Sequence, residues 1–171
     1  DPLPYTGEGM MLGTLPDAAI DAFVDAAGPD SGSPLISAEI RHLGGALLRS
    51  ADHHGALATF DAPFLTFGVG IVFDEESYGA NCTQLEKIGE ALAPYDTDRQ
   101  YLNFTEAETD PARFYRPDTY RRLRAVKAEV DPESPDNTDC AFHLVRRHFD
   151  VQAFGVNAAT GSAVRSGPAL I

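Results

Sequence analysis

Tyr101 and Asn103 stand two residues apart in the run RQYLNFTE at 99 to 106, which reads as a strand. Alternate residues of a strand share a face, so a phenol and a carboxamide would sit side by side and offer one ligand a donor and an acceptor. A cross-strand packing tyrosine beside an edge asparagine would be written with the same letters. The pair by itself leaves both readings open.

Other chemistries find little text to support them. His53 and His54 are adjacent and would point to opposite faces of a strand, while His143 and His148 are five apart with no carboxylate at a chelating offset. No metal site is expected from that pattern, given the ligand number that transition metals require. Ser50 lies near Asp52, His53 and His54, but no GxSxG turn presents a nucleophile. Neither GxGxxG nor GxxxxGK[ST] occurs, and GEG at 7 to 9 and GVG at 68 to 70 are too short to cradle a phosphate. Asn81-Cys82-Thr83 and Asn103-Phe104-Thr105 fit the glycosylation pattern but fall inside periodic elements, where chance explains them.

The elements that would position Tyr101 follow from periodicity and punctuation. LPDAAIDAFVDAAGPD predicts a helix with Ile20, Phe23, Val24 and Ala27 on its inner face, opened by Pro16 and ended by Gly28-Pro29. SGSPLISAEIRHLGGAL alternates as a strand, with Ile36, Ala38, Ile40 and His42 on one face and Ser37, Glu39 and Arg41 on the other. Gly44-Gly45 then marks a bulge, a bend, or a place where a ligand comes close to the backbone. GALATF at 55 to 60 and PFLTFGVGIVFD at 63 to 74 are expected to pair as an antiparallel hairpin. From Glu75 to Leu92 the period becomes helical, with Tyr78, Cys82, Leu85, Ile88 and Leu92 in one stripe and Pro94 as the stop. TYRRLRAVKAEV predicts a last helix with Tyr120, Leu123, Val126 and Val130 in its stripe, closed by Pro132. The fold class is therefore α+β, an antiparallel β-sheet covered by helices on one face. Residues 1 to 132 form this domain, and 133 to 171 read as a divergent linker, a short helix and a flexible tail.

Composition bounds the partners. At 171 residues and 43% hydrophobic, the chain can build one core but not two. A formal charge of -13 repels phosphate backbones and anionic lipid, so neither nucleic acid nor a membrane is an expected partner. Cys82 and Cys140 lie far apart without metal or disulfide-framework spacing, which fits a reducing, cytoplasmic location. No stretch approaches the ~20 apolar residues of a membrane span. The chain begins on an Asp-Pro step without methionine, as a piece of a longer polypeptide would.

The text YLNFTEAETDPARFYRPDTYRRLRAVKAEVDP resembles the carboxy-terminal signature of berberine-bridge-like FAD-linked oxidases: Y-x-N-[FY], an acidic loop, then a helix with an R-L-x-x-V-K core ending in D-P. PLISAEIRHLGGALLR is similar to that family's strand along the reacting face of the flavin, and PFLTFGVGIVFD to its neighbour in the substrate sheet. The resemblance covers roughly residues 1 to 132. It implies a substrate-side domain that meets a small hydroxyl-bearing molecule (a sugar, an alcohol or a polyketide-like compound) and an FAD-binding domain of the same polypeptide or of a partner chain. By the same resemblance, Tyr101 is the active-site phenol, acting as base or hydrogen-bond partner, and Asn103 touches the flavin or orients Tyr101. Gly44 and Gly45 would let the strand pass close to the cofactor, and Glu39, Arg41, His42 and Arg49 would lie on the substrate side. A phenol with a usual pKa of ~10 is a weak base at neutral pH unless a cation supports the phenolate, a role open to Arg41, Arg49 or His42.

Three departures bear on these expectations. The family's flavin-attachment residues and phosphate loop belong to an amino-terminal domain that this text does not contain. Some members carry an acid where this chain has Arg49, and DPESPDNTDCAFHLVRRHF diverges from the family's ending. The chain alone is therefore expected to hold no FAD and to be catalytically silent. The competing reading is a stand-alone small-molecule-binding or dimerisation domain that has lost its flavin half, compatible with a homo-oligomer.

Overall fold

A computed structural model of the chain describes residues 3–51, 54–105, 109–130, 155–156 and 163–164. Three strands form an antiparallel sheet in the order β1-β3-β2: β1 is Tyr5–Leu12, β2 is Ser37–His42 and β3 is Phe64–Ile71. The helices are α1 (Asp17–Ala27), α2 (Glu75–Leu92) and α3 (Pro117–Val130). Gly155–Val156 (β4) and Ala163–Val164 (β5) pair antiparallel; the rest of the expected linker, short helix and tail lies outside the described residues. The arrangement is α+β, with α1 and α2 covering one face of the antiparallel sheet.

Strand alternation decides what each face receives. β3 is central, with Phe64 opposite both Leu12 and His42, and Phe67 opposite both Gly9 and Glu39. Leu12 and Phe64 therefore turn toward the helices, where Leu12, Ala19, Ala26, Ile88 and Leu92 form the buried cluster. Met11 and Leu65 turn the other way and join Leu43 and Ala62, with Phe60, Tyr101 and Phe104 packed against them. Leu12, Leu65 and Leu92 are almost fully buried, and each such side chain is worth about 1.5–3 kcal/mol of transfer free energy.

The helices end where the sequence punctuates them, but they are rolled relative to the expected stripes. Gly28 caps α1 by donating its N–H to the Val24 carbonyl at 2.7 Å. The buried residues of α1 are Ala19 and Ala26, while Ile20 and Val24 are exposed. Small side chains let α1 lie close to α2, which favours this roll over one led by the larger residues. Asp74 caps α2 by accepting from the Ser77 N–H at 2.8 Å, and Ser77 Oγ in return accepts from the Asp74 N–H, a reciprocal capping box. Along α2 the buried positions are Asn81, Gln84, Ile88 and Leu92, and Tyr78 is exposed. The two amides tolerate burial because each meets a carbonyl: Asn81 Nδ2 donates to Ile71 O at 2.9 Å and Gln84 Nε2 to Ala26 O at 2.7 Å. Gly70 makes room for the first of these, since a Cβ there would lie 2.3 Å from the Asn81 amide.

The strand expectations are corrected. Residues 5 to 12, for which the sequence suggested no element, form β1, and residues 55 to 60 are loop. β3 therefore pairs with β1 and β2 rather than with a hairpin neighbour. Residues 99 to 105 of the expected strand are not extended into one: a 3-10 turn, Leu102–Phe104, follows Tyr101, whose carbonyl accepts from the Phe104 N–H at 2.9 Å. α3 forms as expected but buries none of its residues among those described, and Val126 and Val130 are exposed.

Candidate functional site on the open sheet face

The segment that carries Tyr101 is tied down from both sides. After α2, Asp96 bridges to Leu12 at the end of β1, and Thr97 donates both its N–H and its hydroxyl to Met11 O, at 2.9 and 2.8 Å. Arg99 Nη1 donates to the carbonyls of Ala112 and Tyr115 at 3.2 and 2.7 Å, and the Gln100 N–H donates to Arg113 O. Thr105 Oγ1 then donates to Tyr101 O at 3.0 Å. Tyr101 thus sits on irregular backbone whose polar groups are nonetheless partnered.

The turn brings the phenol and the amide together. Asn103 Nδ2 donates to Tyr101 Oη at 3.3 Å, an adjacency expected from a strand and delivered by a 3-10 turn. This donation leaves the phenol hydrogen free for another acceptor. The Tyr101 ring meets Phe60 and Phe104 edge-on, each at 5.2 Å between centroids. Phe104 stacks on Phe67 at 4.4 Å, and the Arg41 guanidinium carbon lies 4.9 Å from the Phe104 centroid. Arg41 also pairs with Glu39 at 2.5 Å, its side chain about half exposed. Glu39, Arg41, Phe104, Tyr101 and Asn103 therefore gather on the sheet face opposite α1 and α2.

Other residues singled out by the sequence do not join them. His42 occupies the helix-side register of β2, its ring tilted against Phe64 at 5.3 Å between centroids, so it lies on the other face from Tyr101. Arg49 is exposed beyond the 3-10 turn Gly45–Leu48, with its N–H donated to Ala46 O. The glycine pair has local reasons for its residue type. A Cβ on Gly44 would lie 2.5 Å from the His42 ring, and Gly45 has φ +67°, which disfavours other residues. Among the described residues no group of His, Cys, Asp or Glu could hold a metal ion.

The aromatic members of the site were not among the residues expected. Phe60, Phe67 and Phe104 read as ordinary strand hydrophobics, and only the Arg41 contact reveals them as part of a polar surface. The nearest sequence signal is GEG at 7 to 9, whose glycines face these rings.

Beyond Phe60 lies a cleft of about 250 Å³ whose lining includes Met11, Asp61, Arg99, Phe114, Tyr115 and Arg116. Asp61 Oδ1 accepts from both Nε and Nη2 of Arg116, which raises the Arg116 pKa further. Burial pushes the Tyr115 phenol above its ordinary value, so it stays a neutral donor at physiological pH.

The open face presents an exposed amide, a half-exposed guanidinium and stacked rings beneath them, and the groups gathered there include none suited to hold phosphates other than Arg41.

No family model matches the sequence, and no curated protein matches it. Solved structures do match the fold. A variant of BBE-like 1 from Physcomitrella patens aligns at TM-score 0.64 and 16% identity, covering 77% of this chain and 28% of that protein. The wild-type protein aligns at TM-score 0.61 with the same identity and coverage. BBE-like 28 from Arabidopsis thaliana aligns at TM-score 0.59 and 17% identity, covering 76% of this chain and 31% of its own. The chain spans less than a third of these proteins, and its fold is that of a region of BBE-like proteins.

Proposed function

We propose that the chain is the substrate-side portion of an FAD-linked oxidoreductase that oxidises a hydroxyl-bearing small molecule. A flavin domain of the same polypeptide or of a partner chain would close the open sheet face. The observation that carries this reading is the Tyr101–Asn103 pair, with Arg41 on the same face, in a fold shared with a region of BBE-like proteins. Bound FAD would supply the hydride acceptor. Asn103 orients the phenol by donating to its oxygen, and Tyr101 Oη meets the substrate hydroxyl, taking its proton when ionised to the phenolate. Arg41, oriented by Glu39, holds a second substrate oxygen. Asn103 would also touch the flavin, while Gly44 and Gly45 have local reasons for their residue type in the His42 ring and the backbone conformation.

Two preparations test the reading. The chain alone should purify without stoichiometric flavin; joined to its flavin domain, it should bleach the flavin anaerobically with a hydroxyl substrate. Stoichiometric FAD on the isolated chain would contradict the division of labour. A second reading, a stand-alone binding or dimerisation domain, draws on the cleft and on exposed Val126 and Val130. It predicts a ligand or a dimer with no flavin partner, measurable by calorimetry and sedimentation.

A further inference from the structure

The open face is organised around one side chain that the functional reading does not use. Phe104 touches three neighbours at once: Phe67 by stacking at 4.4 Å, Tyr101 edge-on at 5.2 Å, and Arg41, whose guanidinium carbon is 4.9 Å from the ring centroid. Both polar groups of the site therefore lean on the same ring. A guanidinium on a flexible stem is held by an aromatic surface more firmly than by a half-exposed ion pair alone, since the pair is screened by solvent.

The ring can lie there because β1 carries no side chains beneath it. A Cβ on Gly9 would sit 3.5 Å from Phe104 Cβ and 3.0 Å from the Thr66 carbonyl oxygen. A Cβ on Gly7 would sit 2.9 Å from Phe67 Cζ and 2.9 Å from the Gly68 carbonyl oxygen. On the open face, β1 thus offers glycine at the two positions beneath the stacked pair, and side chains resume at Met11. The GEG spacing has a physical cause: residues two apart on a strand share a face, and two stacked rings need two such positions bare.

We infer that Phe104 is a positioning residue that sets Arg41 beside the Tyr101–Asn103 pair, and that Gly7 and Gly9 form the bare floor on which the Phe67–Phe104 stack rests. Its catalytic consequence rests on the functional reading above; its geometry does not. Glu39 Oε1 meets Nη2 of Arg41, and the other N–H donors of the guanidinium would serve a substrate oxygen at a spacing from Tyr101 set by Phe104. The site would then select molecules with two oxygens, one meeting the phenol and one meeting the guanidinium, over simple monohydric alcohols.

The test uses Phe104→Leu, Phe104→Trp and Gly7→Ala, whose Cβ would press on the Phe67 ring and the Gly68 carbonyl and so shift Phe104 without removing it. In the 171-residue chain, the Arg41 side-chain proton resonances should lie upfield of those of solvent-exposed arginines because of the ring current. They should relax toward exposed values in Phe104→Leu, return in Phe104→Trp, and move in part in Gly7→Ala. Joined to the flavin domain, Phe104→Leu should slow flavin reduction at saturating diol about tenfold, with Phe104→Trp restoring most of it. The preference for diol over monohydric alcohol should shrink with it. Unmoved Arg41 resonances in both Phe104→Leu and Gly7→Ala would overturn the positioning role whatever the enzyme does. Resonances that move while flavin reduction and diol preference stay unchanged would overturn its catalytic consequence. Failure of the functional reading itself would appear separately, as unaltered flavin reduction in Tyr101→Phe.

Discussion

On the face of the sheet that meets α1 and α2, Leu12 and Leu92 are wholly buried, and the buried polar groups, Thr66, Asn81 and Gln84, are spent on backbone carbonyls. On the opposite face the same strands present Met11 and Leu65 as a thin apolar floor. Above it stand Tyr101, Asn103, Glu39 and Arg41, with polar groups turned toward one another or toward solvent. One face has the character of an interior and the other that of a half-finished site. The difference teaches that the first should govern stability and the second binding or chemistry, and substitutions on either side can break that division.

The largest effect on stability is expected from Leu12→Ala, which removes a fully buried side chain from the helix-covered core. The loss should be about 3 kcal/mol, read as a lower midpoint in chemical denaturation with little change in slope. Asn81→Ala comes next, because it strips the Ile71 carbonyl of its donor and leaves space beside Gly70. About 2 kcal/mol is expected there. Tyr101→Phe, by contrast, removes only a hydroxyl held at 3.3 Å by an exposed amide. Its unfolding midpoint should stay within about 0.5 kcal/mol of the parent. A Tyr101→Phe loss as large as that of Asn81→Ala would erase the distinction between the two faces.

The smallest effect concerns Glu8 on the edge strand β1. Burial raises its carboxyl pKa above the ordinary value, opposed by the Gly9 N–H and the Arg113 charge. The folded chain therefore binds this proton more tightly than the unfolded one. The stability that this group contributes is fully present below the unfolded-state pKa and is lost as pH rises through the raised value. Glu8→Gln should accordingly raise the melting midpoint slightly at pH 7, and the gain should vanish below about pH 4. A gain that persists in acid would point to packing rather than to ionisation.

The sequence made some of these features legible and hid others for identifiable reasons. Breaker residues marked both ends of α1 and the end of α2, and alternation in β2 correctly separated Ala38 and Ile40 from Glu39 and Arg41. β1 escaped notice because its open-face positions 7 and 9 are glycine, which removes the period that identifies a strand. The stripes of α1 and α2 placed Phe23, Ala27, Ile88 and Leu92 correctly against the core but missed Ala19, Ala26, Asn81 and Gln84, because a hydrophobic stripe does not count small residues and hydrogen-bonded amides. The Tyr101–Asn103 contact arose from a turn, where neighbouring side chains can also meet. The same alternation set His42 with Ala38 and Ile40, opposite Arg41, and only the resemblance put it on the substrate side.

The central claim is that Tyr101 works on the open face rather than merely packing there. The direct measurement is anaerobic flavin reduction by a hydroxyl substrate in the polypeptide that unites this chain with its flavin domain, comparing the parent with Tyr101→Phe. The account predicts a rate lowered on the order of 10²- to 10⁴-fold with flavin content unchanged. An unaltered rate would contradict it.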